Sequence, residues 1–143
     1  MDTLLVALHV MANLIWIGSI ASVGWLTATA TRQEDAARGA VGAELAYTLY
    51  KRVAVPAFAS SFLFGGLRLA LDAGAYMRLH WFHGKLTFAL AVIALHHVIG
   101  GKARRAAAGS MQAGKSSAIL ASALLVCAFG SVVFVVFKTQ LVP

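Results

Sequence analysis

Residues 3–31 include no Asp, Glu, Lys or Arg. That run is longer than the roughly 20 residues a helix needs to cross the hydrocarbon of a bilayer. Three further apolar runs follow it, and all of them must be accommodated by a chain of 143 residues in which 60% are hydrophobic and only 12% charged. A soluble domain carries about 25% charged residues, and the mean hydropathy of +0.81 agrees that water is the wrong solvent for this chain. In lipid the backbone must satisfy its own hydrogen bonds, which leaves helices as the natural spanning element. The net charge of +7 does not signal nucleic acid here, because the basic residues sit in short stretches between apolar runs, as topology signals do.

The sequence predicts an all-α fold: an integral-membrane antiparallel four-helix bundle with short loops, forming one transmembrane domain over residues 1–143. The four helices are expected at about 4–30, 47–71, 79–102 and 116–138. In the second, Arg68 and Asp72 are four apart and positioned to pair on one face. Pro56, one turn inside, predicts a kink, and Asp72-Ala-Gly-Ala predicts a short turn. The opening Met-Asp-Thr has no basic n-region, so the first span reads as retained and not as a cleaved leader. The connections between helices 1 and 2 and between 3 and 4 hold Arg32, Arg38, Lys51, Arg52, Lys102, Arg104, Arg105 and Lys115. The positive-inside rule then puts both termini on the non-cytoplasmic side of a cell inner (plasma) membrane.

Ionisable groups inside a span are costly and usually face a bundle interior or a cofactor. Residues 80–97 hold four of the five histidines and Lys85. On helix 1, His9, Asn13 and Trp16 share a face at i, i+4 and i+7. That face reads either as a hydrogen-bonding seam or as one wall of a site. On helix 3, Trp81, Lys85 and His96 lie within about 60° of one another and His83 and His97 lie nearly opposite, at 100° per residue. Both faces are candidates to point inward. At 1.5 Å per residue, His9 lies about 8 Å into its helix, and His83 and Lys85 lie about 6–9 Å in from the same side. His96 and His97 fall deeper, level with Ser60 and Ser61. His80 is at the boundary and is assigned no role.

Imidazoles on different helices of a membrane bundle are a common way to hold haem b. On depth, His9 and His83 are the best cross-helix pair of metal ligands, with His96 the deeper candidate. Lys85 and Arg52 are natural partners for propionates. No CxxCH motif is present, so a haem would be non-covalent. Copper is the alternative metal, although its preferred soft ligands are poorly supplied by scattered methionines and the single Cys127. No Gly-x-Ser-x-Gly, phosphate-binding loop or His-Glu-x-x-His occurs, which argues against hydrolytic chemistry. The Gly65-Gly66 and Gly100-Gly101 pairs predict close helix packing, and homodimerisation through small-residue faces is open.

These residues resemble a known family. His9 with Trp16, the stretch Trp81-Phe82-His83-Gly84-Lys85-Leu86, the later His96, and Arg52 with Pro56 look like the HemJ family and the broader CopD-like membrane superfamily. The HemJ resemblance implies a haem-b-binding oxidoreductase that removes hydrogens from protoporphyrinogen IX in porphyrin biosynthesis and passes electrons to a membrane acceptor such as quinone. It implies that Lys85 is catalytic and His9 essential, with the helix 3 histidines and Trp81 near the haem. The CopD-like branch implies copper uptake or resistance. The chain departs from the HemJ pattern after helix 3, where Gly109-Ser-Met-Gln-Ala-Gly-Lys-Ser-Ser stands in place of an Asn-Glu-x-Pro-like stretch.

Overall fold

The computed structural model describes residues 2–138. It is all-helical, and four helices are long and apolar enough to cross a membrane, so the chain is a multi-pass membrane protein. In order these are α1 (Asp2–Ala30), α2 (Ala36–Leu49), a π turn (Tyr50–Ala54), α3 (Val55–Leu71), the single-turn α4 (Ala73–Tyr76), α5 (His80–Ala107), a 3-10 turn (Met111–Gly114) and α6 (Ser117–Val136). We call the end holding the α1–α2 and α5–α6 connections the loop end, and the opposite end the terminal end.

The second span begins well before the expected residue 47. Asp35 caps α2, its carboxylate accepting from the backbone N–H groups of Ala37 at 2.9 Å and Arg38 at 3.3 Å, and it also meets the Arg38 guanidinium at 3.4 Å. Arg38, Glu44 and Lys51 suggest a loop by their charge, yet they are exposed while Ala43 and Ala46 on the same helix are buried. The charges therefore decorate one side of a helix.

Pro56 does not simply kink this span. Proline has no N–H to give to the carbonyl four residues back, and its ring crowds that carbonyl. The chain answers by widening for one turn: the Val55 N–H reaches back to the Tyr50 carbonyl, and α3 resumes with Pro56 in its first turn. At the far end, the expected Arg68–Asp72 pairing gives way to two other contacts. Asp72 caps α4 through the Ala75 N–H, and the Arg68 guanidinium lies 5.3 Å from the centre of the Tyr76 ring.

α5 runs five residues past its expected end. Lys102 ties the following turn to it, its ammonium donating to the carbonyls of Ala113 at 3.3 Å and Lys115 at 2.7 Å. Helix α1 is the axis of the bundle and packs against α2, α3, α5 and α6. α5 pairs with α6, and α2 reaches α5, but the backbones of α3 and α5 barely approach each other and meet through side chains such as Phe58 on His96. The bundle is therefore closed at the loop end and parted at the terminal end. The core follows that shape: Ile20, Val23, Ala54, Ile99, Ala103 and Leu124 leave no surface exposed. Large apolar side chains such as Leu14, Phe62, Ile119 and Phe129 face outward, as a lipid-facing surface requires.

Candidate functional site

On α1 the expected polar face does point inward, and it divides into two tiers. In the first tier, nearer the terminal end, His9, Asn13 and Ser61 form a closed ring of hydrogen bonds. The Ser61 carbonyl can only accept, so His9 Nδ1–H donates to it at 2.9 Å. In the neutral ring that leaves His9 Nε2 as a lone pair, which takes the Asn13 amide at 3.0 Å. Asn13 Oδ1 in turn accepts from Ser61 Oγ at 2.8 Å. The tautomer is assigned by this network. Gly65, one turn beyond Ser61, makes room for the imidazole: a Cβ there would stand 2.7 Å from the His9 ring. Ser61 thus belongs to the tier of His9 and not, as depth alone predicts, to that of His96.

The second tier is built on Trp16 and His96. The Trp16 indole N–H donates to His96 Nδ1 at 3.1 Å, joining α1 to α5 across eighty residues of sequence. Such bonds between helices in membranes contribute on average about 0.6 kcal/mol. His96 is fully buried in an aromatic shell. Phe58 stacks on it with ring centres 5.0 Å apart, Tyr50 lies at 5.3 Å, Trp16 at 5.8 Å and His97 at 5.1 Å. Tyr50 reaches this position because Gly100 has no side chain, since its ring occupies the space a Cβ would need. Gly66 and Gly101, by contrast, face open space, so each glycine pair contains one packing position and one free one.

Indole N–H is a donor only, so His96 Nδ1 is an acceptor and the neutral ring carries its proton on Nε2. That Nε2 is buried and meets no hydrogen-bond partner. A buried donor without an acceptor costs about 1–3 kcal/mol, so it marks a place where an acceptor would be welcome.

The other residues predicted for the site are distributed unevenly. Lys85 is half-buried on the same face of α5 as the buried His96. His83 is not brought to His9: it is exposed on the other side of α5, and its Nε2 donates to the Met77 carbonyl at 3.0 Å. His97 is exposed on the same side. Trp81 packs edge-on against Tyr76 and Phe82, with Lys138 Nζ 5.9 Å above its ring, and so behaves as an interfacial aromatic. Arg52 is exposed on the π turn, nine residues and thus about 14 Å of helix rise from Ser61. Among the described residues no three His, Cys, Asp or Glu side chains converge on one point, and Cys127 sits half-buried on α6 against the core.

Phe58, Ser61 and Tyr50 are absent from the sequence-based list. Phe58, Ser61 and Gly65 fall at i, i+3 and i+7 on one face of α3, a pattern that does mark the side turned toward α1. Nothing comparable flags Tyr50, whose position depends on the π turn.

No family model, no curated protein and no solved structure matches the chain.

Proposed function

We propose that the chain is a membrane oxidoreductase of the HemJ type, removing hydrogens from a porphyrinogen, with protoporphyrinogen IX the expected substrate, and passing electrons to a membrane acceptor. The observation that carries this reading is the His9 imidazole held by the Ser61 carbonyl and the Asn13 amide on the inner side of α1, with Lys85 half-buried on α5. His9 and Lys85 are the two residues the resemblance singles out, and they stand on α1 and α5, toward the terminal end of the bundle. A porphyrinogen is a broad ring with carboxylate arms, and the ammonium of Lys85 is a point charge suited to one such arm. His9, backed by the Ser61 carbonyl, presents the one neutral imidazole lone pair on this face.

His9 is also the residue that fits haem. An Nδ1–H held by a carbonyl is the support a ligating imidazole normally takes, and the lone pair held by Asn13 is the one iron would take. A haem bound there would supply one-electron redox chemistry. His96 does not fit as an iron ligand, because its Nδ1 accepts from Trp16 and its Nε2 carries the proton. A pair of axial histidines within one chain is therefore not part of this proposal.

A visible absorption spectrum of the protein purified from membranes tests the reading. A Soret band is expected in the parent and in His96→Gln and His83→Ala, and its loss in His9→Ala. A colourless preparation that binds copper stoichiometrically would end the haem reading in favour of the copper one. For orientation, we propose that the loop end, toward which eight basic side chains are concentrated, is the cytoplasmic one. An alkaline phosphatase fused after residue 143 should then be active in an inner membrane.

A further inference from the structure

The second tier is not needed for binding a porphyrinogen at His9 and Lys85, and it has features of its own. His96 offers a fully buried Nε2–H with no acceptor. Flat rings enclose it: Phe58 is stacked nearly parallel, at 29° and 5.0 Å between centres, and Tyr50 is tilted at 39° and 5.3 Å. Phe58 also touches His97 edge-on at 5.7 Å and Phe62 at 6.2 Å, and both of these are exposed to the lipid side. The aromatic shell thus runs from a buried donor to the membrane along the seam between α3 and α5, whose backbones stand apart while Phe58 bridges them. The helix wall carrying Tyr50 is a π turn, a distortion that is frequent at functional sites. The chemistry that matches all of this is a flat, apolar ring with a carbonyl oxygen that arrives through lipid.

We propose that this seam is a quinone site. One quinone carbonyl accepts from His96 Nε2, and the ring lies among Phe58, Tyr50 and His97. As the acceptor side of the reaction above, it rests on that reading only for the source of electrons. There each pair of hydrogens taken from the C–H and N–H bonds of the porphyrinogen is balanced by the two O–H bonds of one quinol, with the protons exchanged through water, so the six hydrogens lost in forming a porphyrin reduce three quinones. His96 stays neutral throughout and gives the carbonyl a hydrogen bond, not a proton. Trp16 is a positioning residue, since its indole fixes which imidazole nitrogen points into the seam.

The test uses the full chain in detergent micelles, without haem or porphyrinogen, so its outcome is independent of whether the oxidase reading survives. In a Trp25→Phe, Trp81→Phe background Trp16 is the only indole. Decylubiquinone should quench its emission along a saturable curve. His96→Phe should move the midpoint at least tenfold, while exposed His80→Ala should leave it unchanged. A quench that rises linearly with quinone in the lipid-like phase, or an identical midpoint in His96→Phe, overturns the proposal. Should His96→Phe fail to fold, infrared difference spectra of carbonyl-labelled quinone on the unsubstituted protein decide the matter. A downshifted carbonyl band relative to empty micelles supports the hydrogen bond, and an unshifted band overturns it.

Discussion

At the loop end, Ile20, Val23, Ile99 and Leu124 interlock with no surface left exposed, and α2, α5 and α6 all close on α1. Toward the terminal end of the same helices, α3 turns away from α5, and the side chains turned inward there are His9, Asn13, Ser61 and Lys85. One half spends its sequence on volume complementarity, the other on hydrogen bonds whose geometry leaves little latitude. Helices in lipid gain nothing from merely hiding apolar surface, so close packing and polar contacts must hold them together. Here the two devices are separated along the bundle axis, with His96 at the border between them.

The largest effect that would sharpen this contrast comes from truncation in the closed half. Leu124→Ala or Ile99→Ala should cost about 2–4 kcal/mol through the cavity left behind, read from reversible unfolding in mixed micelles. Leu67→Ala, in the parted half and 46% exposed, should cost under about 1 kcal/mol. Equal losses at both ends would erase the distinction. Next in size are the glycines. Gly100→Val should lose about 1–3 kcal/mol by driving into the Tyr50 ring, whereas Gly101→Ala, beside it but facing open space, should gain about 0.5–1 kcal/mol from better helix propensity.

Smaller effects probe the polar half. Asn13→Ala should cost about 1 kcal/mol or less, yet it frees His9 Nε2. Added haemin should therefore bind at least as well as to the parent, judged by Soret titration, and a variant that loses haem binding would make Asn13, not His9, the decisive group. The smallest effect is expected at His83. His83→Ala should stay within about 0.5 kcal/mol of the parent with its spectrum unchanged, because that ring is exposed and bonded only to a nearby backbone carbonyl.

The four-helix membrane architecture was plain in the sequence because runs without charge leave a chain few choices. The start of α2 was hidden by charges that lie along a helix side, although Asp35 stands where an N-cap should. Helical angles correctly separated Trp81, Lys85 and His96 from His83 and His97. They could not say which group faced inward, since each contained histidine and burial depends on neighbours that periodicity does not name. Depth paired His9 with His83, but His83 faces away and His9 is occupied by Asn13 and Ser61. His96 is not paired with a histidine of another helix. Its partner is the indole of Trp16, a residue already on the inward face of helix 1.

The π turn at Tyr50–Ala54 works as a gear tooth between two otherwise independent cylinders. One surplus residue in a helix swings everything beyond it by about 100° relative to everything before. The face that α2 turns toward α5 and the face that α3 turns toward α1 are therefore set out of phase by this one turn. A chain lacking any one residue of that segment would still read as an uninterrupted helix of nearly the same length and hydropathy. In it Tyr50 could no longer sit over Gly100 while Ser61 reached Asn13, and the two tiers could not be assembled together.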